Sequence, residues 1–108
     1  MKRNTAQLKE QLIQTGIDEI GKHGIEQLSL RTVAKACGVT HGSPYRHFES
    51  KEGYLKVVLT QLSLFLNQEI NENIDATGSA RDQLTQLGLN FIIFAKTYPH
   101  FFEALFIK

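Results

Sequence analysis

The chain has 108 residues, 42% of them hydrophobic and 21% charged, which is ordinary for one globular domain with its own core. Its formal net charge is +1 and it holds a single cysteine, which excludes an internal disulfide and a multi-cysteine zinc site. No apolar run reaches about 18 residues and the N-terminus lacks the apolar block of a signal peptide, so we expect a cytoplasmic protein without a membrane span.

The small net charge hides an uneven distribution along the chain. Residues 1–56 carry nine Lys and Arg against six Asp and Glu, a net +3, whereas residues 57–108 carry three against five, a net −2. Three of the four histidines also lie in the first half. This mild bias is compatible with a polyanionic partner for the first half but does not identify one.

The apolar pattern is helical, and no strand or repeat stands out. From Thr5 to about His23 apolar residues recur every three or four positions, and Gly24 is placed to end that helix in the left-handed conformation. Ser29 is a candidate N-cap for a second, short helix, which Gly38 ends after about two turns. The first 38 residues therefore predict two helices of unequal length.

Four more helices are predicted after this pair. Thr40 is expected to cap the third, with Pro44 in its first turn, where a missing N–H costs least. Ser50 is expected to cap a long fourth helix whose apolar stripe reaches about Ile74.

After a turn over residues 75–79, Ser79 and Asp82 resemble a capping box that opens a fifth helix. Pro99 ends it and starts a sixth. These last two helices carry many aromatic rings: Phe91, Phe94, Tyr98, Phe101, Phe102 and Phe106. So many rings require a partner surface, either further chain or another subunit, and the sequence leaves both open.

The segment from Ser29 to Phe48 has the spacing of a helix-turn-helix, with two short helices joined by CGVT. Such a motif needs a tight turn with glycine in the left-handed region and an apolar residue after it, here Val39. Its second helix fits a major groove roughly 12 Å wide. Two short helices around a small-residue turn also occur in plain bundles, so the pattern by itself does not establish DNA binding.

The stretch over residues 28–59 resembles the DNA-binding module of the tetracycline-repressor (TetR) family of bacterial regulators: LSLRTVAKACGVTHGSPYRHFESKEGYLKVVL. Matching features are the glycine that ends the first helix, the VA..CGV of the second helix and turn, the Y-x-H-F at 45–48, and the SKE at 50–52 followed by Leu55. The resemblance covers about residues 8–60. Two departures are Gly16, where the family usually has alanine, and Gly53, where a glycine in a helix costs up to ~1 kcal/mol.

The resemblance implies an all-α fold: a three-helix helix-turn-helix DNA-binding domain over residues 1–50, then the first helices of a helical ligand-binding and dimerisation domain over residues 51–108. The family's two final helices, which pair subunits, have no counterpart here, so the second domain is expected to be partial and truncated. The implied function is a sequence-specific DNA-binding transcriptional regulator, a ligand-responsive repressor that binds a near-palindromic operator on double-stranded DNA. The full-length form is expected to be a homodimer.

The candidate DNA-contacting residues have different expected roles. The fork of Arg31 matches guanine O6 and N7, and the N-terminal end of the recognition helix usually meets bases. Lys51 opposes the dipole of the fourth helix, which suggests an anion nearby, and the family places phosphate contacts at Lys51 and Tyr45. The full candidate set is Arg31, Thr40, His41, Gly42, Ser43, Tyr45, His47 and Lys51. Phe48, by contrast, is expected in the core.

An unknown small-molecule effector is expected in the aromatic second domain, with Phe91, Phe94, Tyr98 and Phe102 as pocket candidates, although core packing is the favoured role for any single one of them. No metal, cofactor or catalytic site is expected. His41 and His47 are related by a rotation of roughly 240° on an ideal helix, so they cannot share a ligand cage without a third element, and Ser43 with His47 lacks an orienting acid. The alternative function is a ligand- or protein-binding helical module without DNA function.

Overall fold

The computed structural model describes residues 4–107, and these residues form six α-helices without strands. The predicted all-α fold is confirmed. A single 3₁₀ turn, Ile25–Gln27, links the first two helices. The helices are α1 (Thr5–His23), α2 (Leu30–Ala36), α3 (Ser43–Phe48), α4 (Lys51–Ile70), α5 (Ala80–Thr97) and α6 (Pro99–Phe106). Within the described residues, none of these helices combines the length and hydrophobicity needed to cross a bilayer.

Serine side chains cap three of the helices, as predicted. Ser29, Ser50 and Ser79 each accept the backbone N–H of the third residue that follows, at the starts of α2, α4 and α5. At Ser79 this bond is one half of the predicted capping box. A complete capping box lies instead at α1, where the side chains and backbone N–H groups of Asn4 and Gln7 bond reciprocally at 2.7 and 3.1 Å.

One predicted helix end is wrong, and one predicted helix cap has a different conformation. The helix α4 ends at Ile70 rather than near Ile74, because the side-chain amide of Asn90 donates to the carbonyls of Ile70 and Glu72 at 2.9 and 2.8 Å and holds the chain in a turn. Gly24 has positive φ (86°), but its ψ of 158° is extended, so it is not in the predicted left-handed helical conformation. Its N–H still closes α1 by donating to the Ile20 carbonyl.

The core lies where α1, α2 and α4 meet. It contains the apolar faces that the periodicity predicted, and its buried members are Leu12, Ile13, Ile20, Leu28, Leu30, Val33, Phe48, Tyr54, Val58 and Leu62. The Tyr54 hydroxyl donates to the Leu12 carbonyl at 2.6 Å, and burial raises the pKa of this phenol above its usual value. The hydrogen bond lets a polar group occupy the core without an unsatisfied donor.

The helix α6 packs against the C-terminal half of α1. The ring of Phe101 lies 3.2 Å from the position that a Cβ would take at Gly21, and the ring of His100 lies 3.3 Å from that position at Gly24. Gly21 on α1 and Gly24 at its C-cap therefore allow α6 to approach closely. This contact joins the first helix of the chain to the last described one.

Candidate nucleic-acid interface

The turn between α2 and α3 is a Schellman motif. The N–H of Val39 donates to the Ala34 carbonyl at 3.0 Å and the N–H of Gly38 donates to the Lys35 carbonyl at 3.1 Å. Gly38 takes φ 73°, the conformation that the motif requires. Val39 then packs against the core, so it fixes the direction in which the chain leaves α2, as a helix-turn-helix demands.

The start of α3 differs from the prediction. Thr40 does not cap the helix; its carbonyl accepts the N–H of Ser43 at 3.0 Å and closes a turn. The helix begins at Ser43, with Gly42 as its N-cap and no side-chain capping bond. Pro44 lies in the first turn, as expected. The residues Thr40 to Gly42 therefore precede α3, and the Gly42 carbonyl accepts the first helical N–H, that of Arg46, at 3.3 Å.

Both ends of α3 are held by burial. Ser43 is only 2% exposed and Pro44 is fully buried at the N-terminal end. At the other end Phe48 is buried, as predicted, with its ring edge-on to Tyr54 at 5.1 Å between centroids. The burial of Ser43 conflicts with the expectation that its side chain meets bases, so that assignment is withdrawn. Its small size lets α3 pack closely, a role that one sequence cannot distinguish from an exposed hydroxyl.

Four of the predicted DNA-contacting residues come together in space. Arg31 on α2, His41 in the loop, Tyr45 on α3 and Lys51 on α4 line one hollow of about 250 Å³. All four are exposed, Tyr45 to 47%. Three helices and a loop thus present two cations, an imidazole and a phenol to the same patch of solvent.

The cations of this hollow have no carboxylate partner. Across residues 4–107 the ion pair found joins Glu19 to His23, with 3.7 Å between Oε2 and Nε2. Arg31 and Lys51 are therefore free to bind an external anion. Guanidinium and ammonium groups without a local partner are what contacts to phosphate oxygens require.

The remaining candidates lie beside the hollow rather than in it. Thr40 is exposed, whereas Gly42 and His47 are half-buried, and the ring of His47 lies 6.1 Å from that of Phe48. Arg46, which is not among the predicted DNA contacts, places its Nη1 3.8 Å from the position that a Cβ would take at Gly42. Its exposed guanidinium therefore lies next to the first turn of α3. Sequence alone did not reveal this, because the direction of a long side chain depends on its rotamers.

The four predicted pocket residues separate into two aromatic clusters. Phe94 and Tyr98 pack with Phe65 and line a cavity of about 420 Å³ between α4 and α5, together with Glu69, Glu72 and Asn90. Phe91 and Phe102 pack on each other, 5.7 Å between centroids, and do not line that cavity. Phe94 and Tyr98 therefore remain pocket candidates, whereas Phe91 and Phe102 pack against each other.

No group of three or more metal-ligating side chains (His, Cys, Asp or Glu) occurs in the part of the chain that the structure describes.

Comparison with known proteins gives one consistent result. The profile of a family described as "Bacterial regulatory proteins, tetR family" matches residues 12–58, which span α1 to the first half of α4. The chain is 32% identical over 93 residues to the probable acrEF/envCD operon repressor of Escherichia coli (strain K12), an alignment that covers 85% of this chain and 41% of that repressor.

Two further relatives agree. The HTH-type transcriptional repressor KstR2 of Mycolicibacterium smegmatis is 28% identical over 82 residues, 76% of this chain and 40% of the relative. The HTH-type transcriptional regulator TtgR of Pseudomonas putida is 26% identical over 101 residues, 89% of this chain and 48% of the relative. The chain spans less than half the length of each of these curated relatives.

Proposed function

We propose that this chain, which belongs to the TetR family of bacterial regulatory proteins, is a sequence-specific DNA-binding transcriptional regulator that acts as a ligand-responsive repressor. Residues 1–50 would bind DNA and residues 51–108 would form part of an effector-binding and dimerisation domain. The relatives named as repressors support the direction of regulation. The proposal includes no catalytic step, metal or cofactor, and it places the protein in the cytoplasm with the DNA.

The observation that carries the proposal is the hollow in which Arg31, His41, Tyr45 and Lys51 meet without carboxylate partners. Lys51 and Tyr45 would contact phosphates at the edge of the groove, and Arg31 would reach a guanine edge. The loop before α3 would bring Thr40, His41 and Gly42 to the bases, and His47 would contact the backbone. Ser43 has no place in this set, because its side chain is buried.

We propose that two subunits bind one operator. Two α3 helices would occupy successive major grooves about 34–36 Å apart on a near-palindromic site. An effector in the α4–α5 cavity beside Phe94 and Tyr98 would favour a different separation and release the DNA. Release requires that the effector bind the two arrangements with unequal affinity, since equal affinity shifts nothing.

Fluorescence anisotropy on labelled duplexes from the region upstream of the chain's own gene tests DNA binding directly. Affinity is expected to fall steeply with salt, because each neutralised phosphate releases counterions. Lys51→Ala should weaken binding to all duplexes alike and lower the salt slope by about one. Arg31→Ala should cost roughly 1–3 kcal/mol at one position of the site and relax the preference there.

Lys56→Ala is the matched control, since Lys56 is an exposed lysine on the same helix that does not line the hollow. It removes the same charge and should leave the salt slope nearly unchanged. Equal effects of Lys51→Ala and Lys56→Ala would mean that DNA affinity depends on the net charge of the chain and not on a cation in the hollow. If the chain shows no preference over random DNA at low salt, the regulator assignment fails and a helical module without DNA function takes its place.

A further inference from the structure

A groove of about 420 Å³ runs between α1, α4 and α6, and it is separate from the cavity between α4 and α5. Its volume lies within the range of roughly 300–1,000 Å³ that small-molecule sites occupy. Nothing in the DNA-binding proposal uses it. Its lining residues are of two kinds, apolar and polar, and each kind indicates a part of a possible ligand.

The floor of the groove is apolar and aromatic. Phe65 of α4 and Phe101 of α6 meet edge-to-face, with centroids 6.1 Å apart and planes at 88°. Both rings are only half-buried, and Leu64 beside them is 58% exposed. This leaves a ring-sized apolar surface in contact with water, which a flat apolar group would cover favourably.

The rim is polar and carries one charge. Asp18 of α1 is the charged side chain of the groove, and Gln14, Gln61 and Gln68 also line it. Its Oδ1 accepts from the Gln14 Nε2 at 3.0 Å, which holds the carboxylate in place. Among residues 4–107 no Lys, Arg or His pairs with Asp18. A carboxylate without a cationic partner, in the same groove as two aromatic rings, is complementary to a cation that carries an apolar body.

We propose that the groove between α1, α4 and α6 binds small organic cations with an aromatic or other apolar body, the cationic group pairing with Asp18 and the body lying on Phe65 and Phe101. Phe101 also packs against Gly21 of α1, so a bound cation contacts helices from both ends of the chain. This site is additional to the effector cavity of the proposed function and does not depend on DNA binding.

Three probes that share one apolar body test the charge requirement: 4-phenylbutylamine, 4-phenylbutanol and 4-phenylbutyrate. Each is titrated into ¹⁵N-labelled chain without DNA, and affinity is read from amide chemical shifts. The amine is expected to bind most tightly and the carboxylate most weakly. Asp18→Asn should lower the amine affinity about twofold to fivefold, the range expected for an exposed ion pair, and leave the alcohol affinity unchanged.

Glu69→Gln is the matched control, because Glu69 lines the α4–α5 cavity and not this groove. It should leave the amine affinity as it is. Equal affinity for the three probes overturns the proposal, and so does loss of amine binding in Glu69→Gln but not in Asp18→Asn. Shifts that follow protein concentration and ignore the probes would assign the groove to self-association instead. Asp18 is exposed, so an unchanged unfolding midpoint is expected for its variant. The two proposals are tested separately, because the duplex titration can fail while the amine titration succeeds, and the amine titration can fail while the duplex titration succeeds.

Discussion

Tyr54 and Gly16 form a contact on which the packing of α4 against α1 depends. The Tyr54 hydroxyl bonds the Leu12 carbonyl, and it lies so near Gly16 that a Cβ there would overlap it. The family resemblance identified Gly16 only as a departure from alanine. Its reason was hidden in the sequence, because the tyrosine that fills the space is distant along the chain.

A double-mutant cycle measures this contact. Gly16→Ala is expected to destabilise the fold by about 1–3 kcal/mol through overpacking, and Tyr54→Phe by about 1 kcal/mol through the lost hydrogen bond. The combined variant should lose less than the sum, since the hydroxyl is the atom that the new methyl meets first. Urea unfolding followed by circular dichroism gives the free energies of unfolding. If the free-energy changes of the two single variants simply add in the combined variant, the side chains at positions 16 and 54 do not compete for the same space.

The first turn of α4 is the element at which local propensity and tertiary contact disagree most clearly. Propensity treats Gly53 as a cost of up to ~1 kcal/mol. In the structure a Cβ at this position would overlap the Phe48 carbonyl oxygen, because the chain turns sharply from α3 into α4. The Ser50 hydroxyl also accepts the Gly53 N–H at 3.0 Å. The glycine is thus required where α3 is joined to α4, next to Lys51.

Gly53→Ala and Gly88→Ala should therefore change stability in opposite directions. Gly88 lies on α5 with nothing near its Cβ position, so alanine there should stabilise the fold by about 0.5–1 kcal/mol. Alanine at position 53 should destabilise it by about 1–3 kcal/mol, because strain exceeds the propensity gain. The denaturant midpoints of the two variants, compared at an equal dependence of the unfolding free energy on denaturant, measure the difference. A stabilising Gly53→Ala would show that the joint between α3 and α4 relaxes freely.

Over the whole molecule, apolar side chains remain uncovered on α5. Leu89, Ile92 and Ile93 are each about half exposed or more, with Ile92 at 54% and Ile93 at 58%. They lie three and four residues apart and so share one face of the helix. Single exposed apolar residues are ordinary, whereas a contiguous apolar face marks an interaction surface.

The 108-residue chain is expected to self-associate through this face as its concentration rises, because water is released from apolar surface. Light scattering coupled to size-exclusion chromatography should give a molar mass that increases with loading. Ile92→Lys should return the chain to the monomer mass, whereas Ser63→Lys, the same charge added at an exposed position of α4, should not. A constant monomer mass at all loadings contradicts the expectation.

Sequence alone predicts the helical class, five of the six helix starts and the helix-turn-helix spacing, because each depends on neighbours within a few positions. Motifs over about residues 8–60 add the resemblance to the TetR family. The packed helices are needed to show that Ser43 is buried, that Phe91 and Phe102 pack on each other, and that Arg31, His41, Tyr45 and Lys51 share one hollow. The two sets differ in how far along the chain the interactions that produce them extend. Periodicity and capping are local, whereas burial and convergence depend on how helices from different parts of the chain pack together.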